Sequence, residues 1–271
     1  MNRLDLAFLG ITQKTGTMAF IPFVPAGDPN LDFTVDVIKA LAAIGATVIE
    51  VGFPFSDPIA DGPVIQAAYT RALSTGLTVD AIFGALKKLT ADPDWTTPLV
   101  AMASFSLIWR RGPEDFVKAC LQAGLSGVVV PDLPAEEAEE FASICRSHDF
   151  RLTLLVTPTT SPDRLDAIAR VCTGFVYVVS IVGITGGQSH FSNALPDLLA
   201  TLKTRTDRPC CVGFGISEPK HVEALKGLAD GVIVGTAFVR KMEHAKTAPS
   251  ETLSSIVSLA SALKKATSGN A

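Results

Sequence analysis

Eight short apolar runs, each the length of one strand, recur along this chain with helix-period segments between them. They are AFIPFV from Ala19, TVIEVG from Thr47, PLVAMAS from Pro98, GVVVPD from Gly127, RLTLLVT from Arg151, FVYVVS from Phe175, PCCVGF from Pro209 and GVIVGT from Gly231. Strands separated by helices lie parallel, because a parallel neighbour needs a crossover of about a dozen residues or more. Helices covering such a sheet leave its strands apolar on both faces, which suits a chain that is 48% hydrophobic and 18% charged. Eight units in 271 residues, with no Pro-, Gly- or Ser-rich linker, predict an α/β fold, a single (β/α)8 TIM barrel domain over residues 1–271. A doubly wound open sheet is the alternative, but it needs a dinucleotide fingerprint after the first strand, and PFVPAGDPN is not one.

The helix boundaries follow local chemistry. Pro113 with Glu114 and Asp115, Ser161-Pro162-Asp163, and Ser217-Glu218-Pro219 each place a capping residue, a proline or acids where a first turn wants them. Gly45 and Gly124 read as C-terminal stops. Residues 2–15 are expected to form an extra N-terminal helix closing the bottom of the barrel, and residues 64–90 two helices split at Gly76, so one additional helix follows strand 2.

The net charge of -4 and pI near 5.6 give no basic groove for nucleic acid and no patch for an anionic membrane; WRRG at 109–112 is the densest basic spot. No signal peptide is visible at the N-terminus, and the longest apolar stretch, Phe175 to Ile184, is too short to span a bilayer. Five cysteines without a CxxC pair read as small apolar residues in a reducing compartment, with Cys210 and Cys211 on opposite strand faces, so the expected location is the cytoplasm. His148, His190, His221 and His244 lack metal-ligand spacing, so no metal is expected, and His148 and His244 read as surface residues. Trp95 and Trp109 flank strand 3 and read as packing residues.

In such a barrel the working groups lie at the C-terminal ends of the strands. Glu50 is the one charged residue of strand 2, and the pleat puts it on the face of Val48 and Gly52, opposite Ile49 and Val51. At the barrel mouth it is a proton-transfer group with a pKa raised by desolvation; paired with a neighbouring cation it is structural. Asp57 and Asp61 sit in the proline-rich loop that follows, where aspartates commonly cap their own turns. GFGIS at the end of strand 7 and VGTA at the end of strand 8 both lead into helices. They fit a phosphate held by backbone N–H groups, with ordinary tight turns as the other reading. The glycine-punctuated stretch IVGITGGQSHFSN, residues 181–193, reads as a lid or as a merely disordered loop. The residues alone describe a phosphate-holding barrel doing acid–base chemistry with no evident cofactor.

FPFSDPIADGPVIQ (53–66) preceded by IEVG, with PFVPAGDP, VVVPDLP, VSIVGITG, GFGIS and GVIVGTAFV in the same order, resembles the tryptophan synthase alpha chain family over nearly the whole chain. The resemblance implies a lyase that cleaves indole-3-glycerol phosphate to indole and glyceraldehyde 3-phosphate by a retro-aldol reaction. It implies no cofactor on this chain and a pyridoxal-phosphate-dependent beta chain as partner in an alpha2-beta2 tetramer. It makes Glu50 and Asp61 catalytic, and places Gly186, Gly215, Gly235 and Thr236 at the phosphate. Phe23, Ile65, Tyr177, Thr185 and Phe214 fall in the indole slot and Asp57 at the partner interface. The chain departs from the family where Ser104 and Ser106 stand in place of a tyrosine and an asparagine, and where Ile181 replaces a frequent arginine. A stand-alone lyase, a regulatory subunit without chemistry and a sugar-phosphate isomerase on the same fold are the competing readings.

Overall fold

All eight apolar runs become strands, and the computed structural model describes residues 1–180 and 192–269. The first half runs α1 (Arg3–Thr12), β1 (Ala19–Pro25), α2 (Leu31–Ala43), β2 (Ile49–Gly52), α3 (Pro63–Leu73), α4 (Val79–Thr90), β3 (Leu99–Met102), α5 (Phe105–Arg111), α6 (Pro113–Gln122) and β4 (Leu125–Val129). A 3-10 turn at Ala135–Glu137 leads to α7 (Glu139–Ser147), β5 (Arg151–Thr153), β6 (Leu155–Val156), α8 (Pro162–Val171) and β7 (Val176–Val179). The chain then continues through α9 (Leu195–Lys203), β8 (Cys210–Gly213), α10 (Pro219–Glu223), β9 (Gly231–Val234), α11 (Thr236–Met242) and α12 (Pro249–Thr267).

Every strand pairing among the described residues is parallel, in the order β5-β4-β3-β2-β1-β9-β8-β7-β6. The two ends of that order are one extended segment. Thr153 O accepts from Val130 N on the β4 side at 3.1 Å, and the next carbonyl, Leu154 O, accepts from Tyr177 N of β7 at 3.1 Å. The run expected as one strand from Arg151 is thus divided because its halves serve different neighbours, and the sheet closes on itself. Closure excludes the doubly wound alternative.

Period-2 alternation sorts the side chains. Ile49 and Val51 pack outward in the large layer between strands and helices, together with Phe20, Leu41 and Phe53. The opposite face fills the barrel with Ala19, Ile21, Val48, Val100, Val129, Phe175, Tyr177, Cys211 and Ile233. Cys210 joins the outer layer and Cys211 the inner one, as adjacent strand residues must. All five cysteines are free and buried.

The N-terminal helix closes the bottom, as expected. Asn2 caps α1 by accepting from Leu4 N at 2.8 Å, while its amide donates to Ser126 O at 3.0 Å and Asp149 O at 2.6 Å. Leu4 and Phe8 then enter the inner cluster, Phe8 lying 5.8 Å from the Phe175 ring, and Asp5 pairs with Arg151 at 2.6 Å. Burying those two side chains contributes about 2–3 kcal/mol each. Gly76, at φ +78, ends the turn between α3 and α4, and Thr78 caps the second helix, so the split falls where glycine permits it.

Between β3 and α6 the chain forms a helix that the apolar pattern does not announce. Ser104 caps α5, Phe105 packs edge-on against Phe141 at 5.8 Å, and Trp109 lies on the outer side of Phe105 at 6.1 Å. Trp109 is 63% exposed, which corrects its reading as a packing residue: α5 lies at the rim, and one aromatic per turn suffices to anchor it. His148, expected at the surface, is half-buried beside Glu114, and His244 is exposed.

Candidate active site

β2 carries Glu50 in register with Phe23 of β1 and Val100 of β3, on the inner face toward the C-terminal end. Its side chain is 0% exposed, and among the described residues neither carboxylate oxygen has a hydrogen-bond partner. The structural-pair reading of Glu50 therefore fails. Burial, and secondarily the charge of Asp61, push its pKa up to about 8.

Asp61 belongs to the loop between β2 and α3. Its backbone closes a turn, N–H to Pro58 O at 3.0 Å, and its carbonyl accepts from Gln66 Nε2 at 2.8 Å. The side chain is spared from that turn and lines a cleft with Phe53, Tyr69, Met102, Ser104 and Asp132. Burial, and then the charge of Asp132, push its pKa up to about 7. Asp57 stands exposed on the outer part of the same loop beside Ile59, which is 78% exposed.

Two aromatic groups wall the inner face. Phe23 and Ile65 cluster with Ala68, Tyr69 and Val239, and Tyr177 meets Phe214 edge-on at 6.1 Å. Phe214 (φ +70) and Gly215 (φ +73) take consecutive left-handed conformations after β8; the single O–H of Ser180 has two alternative acceptors, Phe214 O at 2.6 Å and Gly213 O at 2.9 Å, which hold that bend. β9 is the neighbour of β8, and Gly235 caps α11 with Thr236 as its first residue. A Cβ on Gly235 would stand 3.4 Å from Phe23, so the bare backbone at this end faces the aromatic slot. Thr185 and Gly186, the departure at Ile181 and all but the end of the expected lid lie outside the described residues.

The structure thus gathers Glu50, Asp61, Phe23, Ile65, Tyr177, Phe214, Gly215, Gly235 and Thr236 at one end of the barrel, and places Asp57 at the exposed rim of the cleft that Asp61 lines. The strand-end pattern passed over Asp132, whose oxygens accept from Ser104 Oγ at 2.6 Å and Phe105 N at 2.8 Å; its place as the last residue of the fourth run was the available signal. It also passed over Tyr69, one helical turn from Ile65. Ser106, the other departure on this side, is exposed on α5. Among the described residues no three His, Cys, Asp or Glu side chains gather as metal ligands, and no helix is long and apolar enough to cross a membrane.

A closed parallel barrel with a buried carboxyl on its inner wall, unpaired among the described residues, and a second carboxyl whose charge opposes it, has the frame of a (β/α)8 barrel enzyme. The family model for the tryptophan synthase alpha chain matches residues 10–268. The chain belongs to the tryptophan synthase alpha chain family, whose reaction is the lyase cleavage of indole-3-glycerol phosphate. A tryptophan synthase alpha chain of Rippkaea orientalis is 43% identical over 249 residues, 92% of each chain, and one of Rhodopirellula baltica is 46% identical over 228 residues, 84% of this chain and 82% of the relative. Among solved structures, tryptophan synthase of Mycobacterium tuberculosis superposes with a TM-score of 0.88 at 31% identity, covering 99% of each chain. A tryptophan synthase complex of Pyrococcus furiosus gives 0.81 at 34% identity, covering 92% of this chain and 98% of that one.

Proposed function

We propose that this chain cleaves indole-3-glycerol phosphate with Glu50 as the acid–base group and Asp61 as its partner at the indole nitrogen. One observation carries the reading: a carboxyl with no exposed surface, no partner among the described residues and a pKa near 8 stands on the inner wall of the barrel. Near neutrality Glu50 holds its proton and delivers it to ring carbon 3, leaving the ring cationic. As a carboxylate it then takes the proton of the hydroxyl on the adjacent side-chain carbon. The bond from that carbon to ring carbon 3 breaks, its electron pair returns to the ring, and indole and glyceraldehyde 3-phosphate result. Asp61, whose pKa near 7 leaves it ionisable in the same range, stabilises the cationic ring through its N–H.

Phe23, Ile65, Tyr177 and Phe214, with Thr185, make the flat slot for the ring. The phosphate is assigned to the backbone at Gly215, Gly235 and Thr236, which follow the neighbouring strands β8 and β9; Gly186 joins them on the family resemblance. Asp57 and Ile59 present the loop of Asp61 outward, which suits contact with a beta chain in an alpha2-beta2 tetramer and would couple that contact to catalysis. Residues 1–271 act as one barrel domain, and five free buried thiols suit the cytoplasm.

The test is indole release by the full chain and by Glu50→Gln, each with and without a beta chain. Loss of about three orders of magnitude in kcat with KM retained is expected for the variant. Activity surviving in Glu50→Gln would remove its assigned role; a rate indifferent to the beta chain would favour the stand-alone lyase.

A further inference from the structure

Tyr69 is assigned no part in the chemistry by the reading above, on which this inference rests, yet its surroundings are those of a working group. It projects from α3 into the cluster of Phe23, Ile65, Ala68 and Val239 and is 2% exposed. Its hydroxyl reaches the inner wall at Gly52: a Cβ there would lie 2.5 Å from Tyr69 Oη and 2.5 Å from Phe23 Cζ. Gly52 and Glu50 share one face of β2, two residues and roughly 7 Å apart. The missing Cβ at Gly52 is therefore the space that admits the phenol to the wall carrying Glu50.

One unmet hydrogen-bonding demand and one donor face this space. Among the described residues both Glu50 oxygens are buried without a partner, and Tyr69, 2% exposed, lines with Asp61 the cleft beside them. A buried phenol O–H normally finds an acceptor, and a carboxylate that ionises here needs a donor. The charged groups around it are Glu50 on β2, Asp61 on the loop before α3 and, beyond Asp61, Asp132 after β4; Phe23 of β1 and Val239 of α11 bring only apolar surface. Burial first, then Asp61 and Glu50, resist ionisation of the phenol, so it stays a donor at every working pH.

We propose that Tyr69 is a positioning residue whose hydroxyl, admitted by Gly52, donates a hydrogen bond to whichever of Glu50 and Asp61 is ionised, and so sets which carboxyl holds the proton as substrate enters. A donor aimed at the charged form favours ionisation, so the hydroxyl lowers the pH at which the pair first loses a proton.

The sequence has two tyrosines, so full-length chain labelled with 3-fluorotyrosine carries two fluorine reporters, each assigned by its loss in Tyr69→Phe or Tyr177→Phe. The Tyr69 signal is expected to titrate with the carboxyl pair in the neutral range. In unlabelled protein Tyr69→Phe is expected to lower kcat roughly tenfold, leave KM within about twofold, and move the acid limb of kcat/KM upward by about one pH unit. A flat Tyr69 signal between about pH 6 and 9, or an unmoved acid limb with unchanged kcat, overturns the proposal. Should the wild-type chain release no indole, the lyase reading falls, while the fluorine titration still decides the link between Tyr69 and the carboxyls.

Discussion

Replacing Glu50 by Gln is expected to stabilise the folded chain at alkaline pH while it abolishes the chemistry. Glu50 holds its proton from an ordinary carboxyl value of 4.5 up to about 8 in the fold. Below 4.5 both folded and unfolded chains are protonated and the group is neutral to stability. Between those values the unfolded chain has released the proton and the folded chain has not, so stability falls as pH rises, by about 1.4 kcal/mol per pH unit. Above about 8 the full cost stands, on the order of 5 kcal/mol at most; water entering the open barrel mouth returns part of it, leaving an expected 2–4 kcal/mol. Gln has nearly the same shape and no charge, and its own burial cost is the same at every pH. The measurement is urea unfolding of both chains at about pH 5 and pH 9, read as midpoint and slope. The gap between variant and wild type should widen toward alkaline pH by the stated amount; parallel stability curves would refute a carboxyl held protonated by burial.

Two further perturbations test the frame around that group. Gly52→Ala forces a methyl into Phe23 Cζ and Tyr69 Oη, both 2.5 Å from the added atom, and should cost about 1–3 kcal/mol and raise KM for the indole substrate, seen in melting curves and steady-state kinetics. Arg71→Met removes the two-pronged partner of Asp28, which is 1% exposed and bonded at 2.9 and 2.7 Å; unfolding free energy should drop by about 3 kcal/mol, and a drop below 0.5 kcal/mol would mean that Asp28 finds water instead.

The barrel was legible because parallel strands covered by helices are apolar on both faces, so each run from Ala19 to Gly231 stands out from its polar flanks. Helix ends such as Pro113 and Gly124 were legible for local reasons, backbone φ and capping, that need no tertiary contact. α5 was not: seven residues hold too few turns for a period, and Trp109 looks like core when read alone. Glu50 could be placed on the inner face by counting along one strand. Asp61 could not, because its backbone does form the turn that aspartate signals while its side chain serves elsewhere, and only folding brings it against Glu50 and Asp132. Tyr69 was hidden for a related reason, since its spacing from Ile65 describes a buried helix face and its hydroxyl depends on an absent atom on another element. Thr185 and Gly186 gain their places from the family resemblance alone.

The helix plugging the bottom of the barrel also bears on the order in which the chain can assemble. Its anchors lie far along the chain, Asn2 bonding across 124 and 147 residues and Asp5 across 146, and Phe8 waits for Phe175. Ten residues cannot hold a helix in water without such a partner surface. The first helix in the sequence is therefore among the last to dock, and the half-built barrel stays open at its base until β7 arrives. Its late docking ties the two ends of the folding reaction together, so the floor of the site becomes rigid only once its walls are complete.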